Sequence, residues 1–176
     1  MFEKKVKKRG NAPPTLWSDL FYLVGKVVLV GLVLLLLDLF LFGVIRYNDN
    51  GMTPAVKDGD LVVYYRLDKS YKINDLLTYH YEGKNLVARV VATAGDTVDI
   101  TDDGVIINGN RQQEDGIYEK TVQYKKGIRF PVKVPEGHVF VLGDNRKSAT
   151  DSRIFGTIPV KKTEGKVVVL ARRRGL

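Results

Sequence analysis

The side chains that could carry chemistry in this chain are few. The 176 residues include no cysteine and only four serines, which are Ser18, Ser70, Ser148 and Ser152. Without cysteine, the chain has no disulfide, no thiolate nucleophile and no cysteine-ligated metal. His80 and His138 stand alone, without the ligand spacing of a zinc site. We therefore predict no metal and no cofactor.

Three segments concentrate glycine with polar and charged residues: "GMTPAVKDGD" (51–60), "ARVVATAGDTV" (88–98) and "GDNRKSATDSRIFG" (143–156). Their charged residues are of the kind that pair to hold neighbouring loops, and the alternative is a set of surface charges without partners. We predict the supporting role for Arg89, Asp144, Arg146, Asp151 and Arg153.

These segments follow a long apolar run. Val27 to Ile45 is 19 consecutive positions, of which only Asp38 is charged. At about 1.5 Å per residue, such a helix can cross a hydrocarbon core of about 30 Å. A buried core helix is the alternative, but a domain this small rarely holds a helix that is apolar on all sides. A cleaved signal is disfavoured, because the run exceeds 7–15 residues and lacks a small-residue cleavage site.

The flanking charges predict an orientation. Residues 1–26 hold six basic and two acidic side chains, a net +4. The positive-inside rule places this end in the cytoplasm. We predict a disordered basic cytoplasmic tail over residues 1–14, a single transmembrane helix over 15–46 and an extracytoplasmic domain over 47–176, in the plasma membrane. Asp38 either contacts another membrane helix or lies near the outer headgroups.

After the apolar run, the period of the hydrophobic pattern changes. Short β-rich runs separated by Gly, Asp, Asn and Pro cover residues 60–67, 75–82, 86–95, 97–101, 104–109, 120–126, 130–135, 138–144 and 166–174. Such spacing predicts a mainly β, antiparallel domain, with a polar loop over 145–160. The whole chain carries +8, which suits contact with membrane lipid. No nucleic-acid-binding module is recognisable, so we predict no nucleic-acid partner.

Together the three segments resemble type I signal peptidases, which are membrane-anchored serine proteases with an extracytoplasmic β-domain and a Ser–Lys dyad. The first segment matches the family pattern at Met52, Pro54, Gly59 and Asp60. The second matches at Arg89, Val90, Gly95, Asp96 and Val98, and the third at Gly143–Arg146 and Asp151–Arg153. The resemblance implies the same fold.

The same resemblance implies that the catalytic side chains are missing. The family's nucleophilic serine falls on Gly51, its general-base lysine on Ala88 and the serine that orients this lysine on Ala149. The residue two before the nucleophile, beside the oxyanion hole, falls on Asp49. Glycine cannot form an acyl-enzyme and alanine cannot accept a proton, so we predict a pseudoenzyme.

The resemblance also implies a peptide-binding groove, because signal peptidases bind substrate as an extended strand. We assign to this groove Met52, Pro54, Val87, Ala88 and Val90, and expect the small residues at 51, 88 and 149 to widen it.

The chain resembles in particular the SipA-type proteins of Gram-positive pilus operons, which lack the dyad. This implies a chaperone or scaffold that binds pilin subunits and a class C sortase. Two alternatives stay open: an active signal peptidase with an unorthodox site, and an inactivated variant with no role.

Overall fold

The computed structural model describes residues 16–114 and 116–172. Its first element is helix α1, Leu16–Leu41. Its 26 residues are long and apolar enough to cross a membrane, and none of them is buried. The predicted tail over residues 1–14 lies outside the described residues. The chain divides into two compact units, one over residues 1–39 and one over residues 40–176.

The second unit is mainly β. Its strands are β1 Phe42–Arg46, β2 Leu61–Tyr65, β3 Leu76–Tyr81, β4 Lys84–Thr93, β5 Thr97–Thr101, β6 Gly104–Ile107, β7 Asn110–Arg111, β8 Val132–Lys133, β9 His138–Leu142, β10 Ile158–Pro159 and β11 Thr163–Ala171. A short helix α2, Ser152–Phe155, and a 3-10 turn, Val160–Lys162, complete the described elements.

The strands form two antiparallel sheets. The larger has the order β1-β2-β11-β3-β4-β9-β10, and the smaller has the order β7-β6-β5-β8. Strand β4 lies inside the larger sheet, between β3 and β9. The mainly β, antiparallel fold predicted from the sequence is confirmed.

Both faces of β4 and β9 are covered. Ala88, Val90 and Val141 join one hydrophobic cluster with Leu77 and Tyr79. Ala92, Phe140 and Leu142 join another with the strands of the smaller sheet. Burying apolar side chains of this size on both faces is the main stabilising term for such a sheet.

The prediction of one helix over residues 15–46 was wrong at its C-terminal end. The helix ends at Leu41, and residues 42–46 form β1, which pairs with β2 from Phe42↔Tyr65 to Arg46↔Leu61. The Phe42 and Tyr65 rings lie 5.3 Å apart between centroids. A Cβ built on Gly43 would lie 2.2 Å from the Tyr64 ring, so this strand can pack there only because residue 43 is glycine.

Two further local predictions were wrong. Residues 120–126 form no strand, because side chains of this run bind the 143–153 loop: the Tyr124 hydroxyl donates to the Ala149 carbonyl at 2.9 Å. The expected loop over 145–160 contains helix α2 and strand β10. Asp151 starts α2, because its carboxylate accepts the Arg153 backbone N–H at 3.0 Å.

Candidate functional site

The turn after β1 and the 143–153 loop meet at Gly51. The Gly51 carbonyl accepts the Asn145 backbone N–H at 3.0 Å, and the Asn50 carbonyl accepts the Asn145 side-chain amide at 3.1 Å. Gly143 packs against the same place, since a Cβ built on it would lie 2.4 Å from the Gly51 carbonyl oxygen and 2.3 Å from the Ala149 Cβ. Tyr47, Asp49, Gly51, Gly143 and Ala149 are called the Gly51 site below.

Space at the Gly51 site is small. A Cβ built on Gly51 would lie 2.8 Å from Asp49 Oδ1, 3.2 Å from the Ala149 Cα and 3.4 Å from the Ala149 Cβ. The expectation that the small residues widen a groove was therefore wrong for positions 51 and 149. The two residues lie next to each other, and the Asp49 carboxylate is in close contact with the place where a side chain of residue 51 would begin.

The Asp49 carboxylate occupies the backbone donor of residue 51. Its Oδ1 accepts the Gly51 N–H at 2.6 Å and the Tyr47 hydroxyl at 3.3 Å. A nucleophile's own N–H is a common oxyanion donor in acyl transfer. Burial, and next the negative charge of Asp49, raise the pKa of the Tyr47 hydroxyl, so Tyr47 stays a donor at neutral pH. The negative charge of Asp49 therefore lies on the Gly51 N–H, the backbone donor of this site.

Ala88 lies on β4, and its side chain is only 1% exposed. The register pairs Leu77 with Ala88 and Tyr79 with Leu86, so Tyr79 and Ala88 are diagonal neighbours on one face. The Tyr79 hydroxyl donates to the Thr150 carbonyl at 2.7 Å, beside Ala149. Tyr79 and Ala88 therefore share one hydrophobic cluster, and the Tyr79 hydroxyl contacts the residue that follows Ala149.

Tyr79 is a residue that the sequence analysis missed. Its position could have been found from the turn between β3 and β4. Glu82 and Gly83, which have positive φ, form a two-residue hairpin turn, and such a turn fixes the register of the two strands. Burial, and next the charge of Asp151, raise the pKa of the Tyr79 hydroxyl, which is consistent with a neutral donor held in the core.

Other hydroxyl groups of the chain are engaged in structure or lie at the surface. Ser152 Oγ accepts the Val141 backbone N–H at 3.0 Å and is buried. The Ser70 hydroxyl donates to Asp68, and Ser148 is exposed. Thr53 is half-buried, and its N–H donates to the Asn50 carbonyl at 3.2 Å. Lys84 is exposed at the start of β4.

The charged residues assigned to support lie in ion pairs. Arg89 makes a two-point contact with Asp144, with Nε–Oδ1 at 2.8 Å and Nη2–Oδ2 at 2.6 Å. Hydrogen bonding to Asp144 raises the pKa of Arg89. Arg153 and Asp151 make the same kind of contact at 2.9 and 2.8 Å, and both side chains are fully buried. Two-point pairs fix both position and orientation.

Arg146 holds the base of the same loop. Its guanidinium donates to Glu114 at 2.6 Å, to the Thr121 hydroxyl at 2.8 Å and to the Gly143 carbonyl at 2.7 Å. Only 2% of the Arg146 side chain is exposed. A cleft of about 290 Å³ adjoins it, but the charges lining this cleft, on Arg89, Glu114 and Arg146, already lie in ion pairs.

Strand β4 has an open edge beside the Gly51 site. Strand β9 pairs with β4 only from Arg89↔Leu142 to Thr93↔Val139. The backbone of Val90 points towards β3, since its N–H donates to the Asp75 carbonyl at 2.9 Å. Backbone groups alternate along a strand, so those of Val87 and Asn85 point the other way, past the end of β9. We call these two residues the open edge of β4.

The groove assignment needs correction in most of its residues. Met52 and Val90 are fully buried, and Val87 and Ala88 are at most 3% exposed, so their side chains lie in the core. The Met52 sulfur accepts the Asp144 backbone N–H at 3.4 Å. Only Pro54 is exposed. Any peptide contact at this edge is therefore made by the backbone of Val87 and Asn85.

Known proteins share sequence similarity with most of this chain. Residues 18–171 match the model of the family described as signal peptidase, peptidase S26. A signal peptidase I of Bacillus licheniformis is 32% identical over 160 residues, covering 84% of this chain and 86% of the relative. A probable signal peptidase I-1 of Synechocystis is 31% identical over 153 residues, covering 79% and 76%.

Among solved structures, a crystal structure of a signal peptidase I from Enterococcus faecalis is similar. Its sequence is 28% identical, the TM-score is 0.47, and the match covers 56% of this chain and 97% of that chain. On the family match and the 32% identity to the Bacillus licheniformis relative, the chain belongs to the signal peptidase family, peptidase S26.

Proposed function

We propose that this protein is a catalytically inert member of the signal peptidase family that binds an extended peptide at the open edge of β4. In this proposal it acts as a membrane-anchored chaperone or scaffold in pilus polymerisation, with pilin subunits and a class C sortase as its partners. The observation that carries the proposal is the Gly51 site, where residue 51 has no side chain and its backbone N–H donates to the Asp49 carboxylate at 2.6 Å.

The loss of chemistry is supported at each required position. A Ser–Lys mechanism needs a hydroxyl to attack and a neutral amine to take its proton. Residue 51 has no side chain, and residue 88 is a buried alanine in the same hydrophobic cluster as Tyr79. Asp49 adds a negative charge at the donor that would stabilise the intermediate.

Retention of binding is supported by what surrounds the site. Strand addition depends on main-chain donors and acceptors, which do not need the catalytic side chains. The open edge of β4 supplies such groups, and the ion pairs of Arg89 and Arg153 hold the adjoining loop in place. The pilin and sortase partners rest on the resemblance of the sequence to the SipA-type proteins.

An active signal peptidase is the second candidate, favoured by the names of the relatives. A cleavage assay distinguishes the two candidate functions. The full-length chain in lipid nanodiscs is incubated with a signal-peptide substrate, beside an active signal peptidase I as the positive control. We expect no cleavage above buffer. Turnover that disappears in Thr53→Ala would establish the second candidate instead.

Peptide binding is tested by substitution at the open edge. Asn85 is exposed, and its backbone N–H faces the open side. Asn85→Pro removes this donor without touching the bonds to β3, whereas Asn85→Ala keeps it. We expect a pilin-derived peptide to bind the wild type and Asn85→Ala alike, and Asn85→Pro about fivefold to tenfold more weakly, the worth of about one hydrogen bond. Equal binding by both variants would place the partner surface elsewhere.

A role in polymerisation is tested in cells. Pilus formation in a strain that lacks this gene should be restored by the wild type and by Asn85→Ala, and less well by Asn85→Pro. Co-purification of the chain with pilin and sortase from membranes is the accompanying measurement. Normal polymerisation in the strain without the gene would contradict the pilus role while leaving peptide binding untouched.

A further inference from the structure

The Asp49 carboxylate is only partly compensated. Its Oδ1 is engaged by the Gly51 N–H and the Tyr47 hydroxyl, whereas Oδ2 has no hydrogen bond or ion pair within the described parts of the chain. Asp49 is half-buried, so Oδ2 faces the solvent side of the Gly51 site. A carboxylate oxygen of this kind can accept a charge-assisted hydrogen bond from a cation.

The other carboxylates around this site are paired. Asp144 is held by Arg89 and Asp151 by Arg153, with both contacts shorter than 3 Å. Across residues 16–114 and 116–172, no lysine or arginine lies within ion-pair distance of Asp49. At this site the Gly51 N–H and the Tyr47 hydroxyl hold the Asp49 carboxylate, and the oxygen left without a partner among the described residues is an acceptor.

We propose that the Gly51 site binds the ammonium group of a lysine side chain carried by the bound peptide, with Asp49 Oδ2 as its counter-ion. This inference rests on the proposed peptide binding and names the residue type that the peptide presents there. The open edge of β4 lies close by, because Val87 packs in one cluster with Tyr47 and Met52, on either side of Asp49 in the chain.

The geometry distinguishes lysine from arginine. A guanidinium gains most from a two-point contact with both carboxylate oxygens, as Arg89 makes with Asp144. Only one oxygen of Asp49 is free, because Oδ1 already accepts two donors. An ammonium is a compact point charge and needs only one such oxygen.

The test uses the full-length chain in nanodiscs and one peptide sequence with lysine, arginine or norleucine at its central position. We expect the lysine peptide to bind about tenfold more tightly than the norleucine peptide, a typical gain for a charge-assisted hydrogen bond at a partly exposed site, with arginine between them. In Asp49→Asn, which keeps an acceptor for the Gly51 N–H, this preference should vanish while the norleucine peptide binds as before.

The matched control is Asp58→Asn, which removes an exposed carboxylate from the same segment. Asp58→Asn should leave the tenfold preference for the lysine peptide intact. In the wild type, raising the salt concentration should reduce this preference. Equal affinity of the wild type for lysine and norleucine peptides overturns the inference but leaves the proposed function standing. A lysine preference that persists in Asp49→Asn also overturns it.

If none of the peptides binds, the proposed function fails, and a smaller probe decides the inference alone. N-acetyl-lysine methylamide is titrated while the Gly51 backbone amide is followed by NMR, because this amide donates directly to Asp49. The expected result is a saturable shift in the wild type that is absent in Asp49→Asn and absent with the norleucine analogue. A Gly51 amide that does not respond overturns the inference.

Discussion

Asp49 contacts the backbone of Gly51 at 2.6 Å, and in the proposed function this contact opposes hydrolysis in two ways. It occupies the N–H that a tetrahedral intermediate would need, and it places a negative charge where another negative charge would develop. A glycine at position 51 favours this arrangement, since a Cβ there would lie 2.8 Å from the same carboxylate oxygen. In the proposed function, the glycine at 51 and the carboxylate at 49 therefore act together.

Restoring the dyad alone should therefore not restore an enzyme. We expect Gly51→Ser with Ala88→Lys to stay near background, because Asp49 still covers the Gly51 N–H and Ala149 offers no hydroxyl to orient the new amine. Losing even one oxyanion donor typically costs about 10²–10³ in rate. Adding Asp49→Gly and Ala149→Ser should give the first detectable cleavage, measured on a signal-peptide substrate.

The control for these variants is a folding measurement by circular dichroism, since Lys at the buried position 88 also has to be accommodated. Strong cleavage by the folded double variant would contradict the interpretation. It would mean that Asp49 moves away from Gly51 as soon as a hydroxyl is present.

At this scale the sequence predicted less than the structure shows. The resemblance to signal peptidases pointed to positions 51, 88 and 149, but it could not show that Gly51 and Ala149 lie next to each other. Nor did it identify Tyr79, whose contact with Thr150 joins residues 71 positions apart. Contacts of such separation depend on strand register, which local patterns specify only when the turn is recognised.

Among the elements, the 143–153 loop is the one fixed most firmly to its surroundings. The Asp151 carboxylate accepts from the Gly143 N–H at 3.1 Å and from Arg153 through both oxygens, with no solvent contact. Removing one partner of such a pair leaves an uncompensated buried charge. The loop that carries Ala149 therefore depends on a pair that does no chemistry itself.

Asp151→Ala should destabilise the domain by about 3–5 kcal/mol, the usual cost of leaving a buried charge without its partner. The measurement is urea unfolding of residues 40–176 followed by circular dichroism. Lys147→Ala is the matched control in the same loop, because the Lys147–Glu119 pair is exposed and should contribute less than about 1 kcal/mol. Similar losses for the two variants would contradict the role given to Asp151.

The end of the first helix shows why an element boundary was misjudged. The apolar run continues to Ile45 with no charged residue after Asp38, so composition alone cannot separate the end of a helix from the start of a strand. The boundary is decided by partners far along the chain, since Phe42 and Gly43 pair with Tyr65 and Tyr64 of β2. Tertiary pairing here outweighs local helix propensity.

At the scale of the whole molecule, the chain joins an apolar helix directly to a β domain. Helix α1 ends at Leu41 and β1 begins at Phe42, so no linker residues separate the two elements. The basic residues of the first 26 positions lie on one side of the apolar run and the β domain follows on the other. The orientation of this arrangement determines which compartment the Gly51 site faces.

We predict that the β domain lies outside the cell, because net charge +4 precedes the span and cytoplasmic flanks carry the excess of Lys and Arg. The chain has no cysteine, so single cysteines can be introduced without background labelling. Ser148→Cys, in an exposed loop position, should react with a membrane-impermeant maleimide in intact cells, whereas Lys8→Cys should react only after the membrane is opened. The reverse pattern would mean that the domain faces the cytoplasm, where it could not meet extracellular pilin, and would exclude the proposed role.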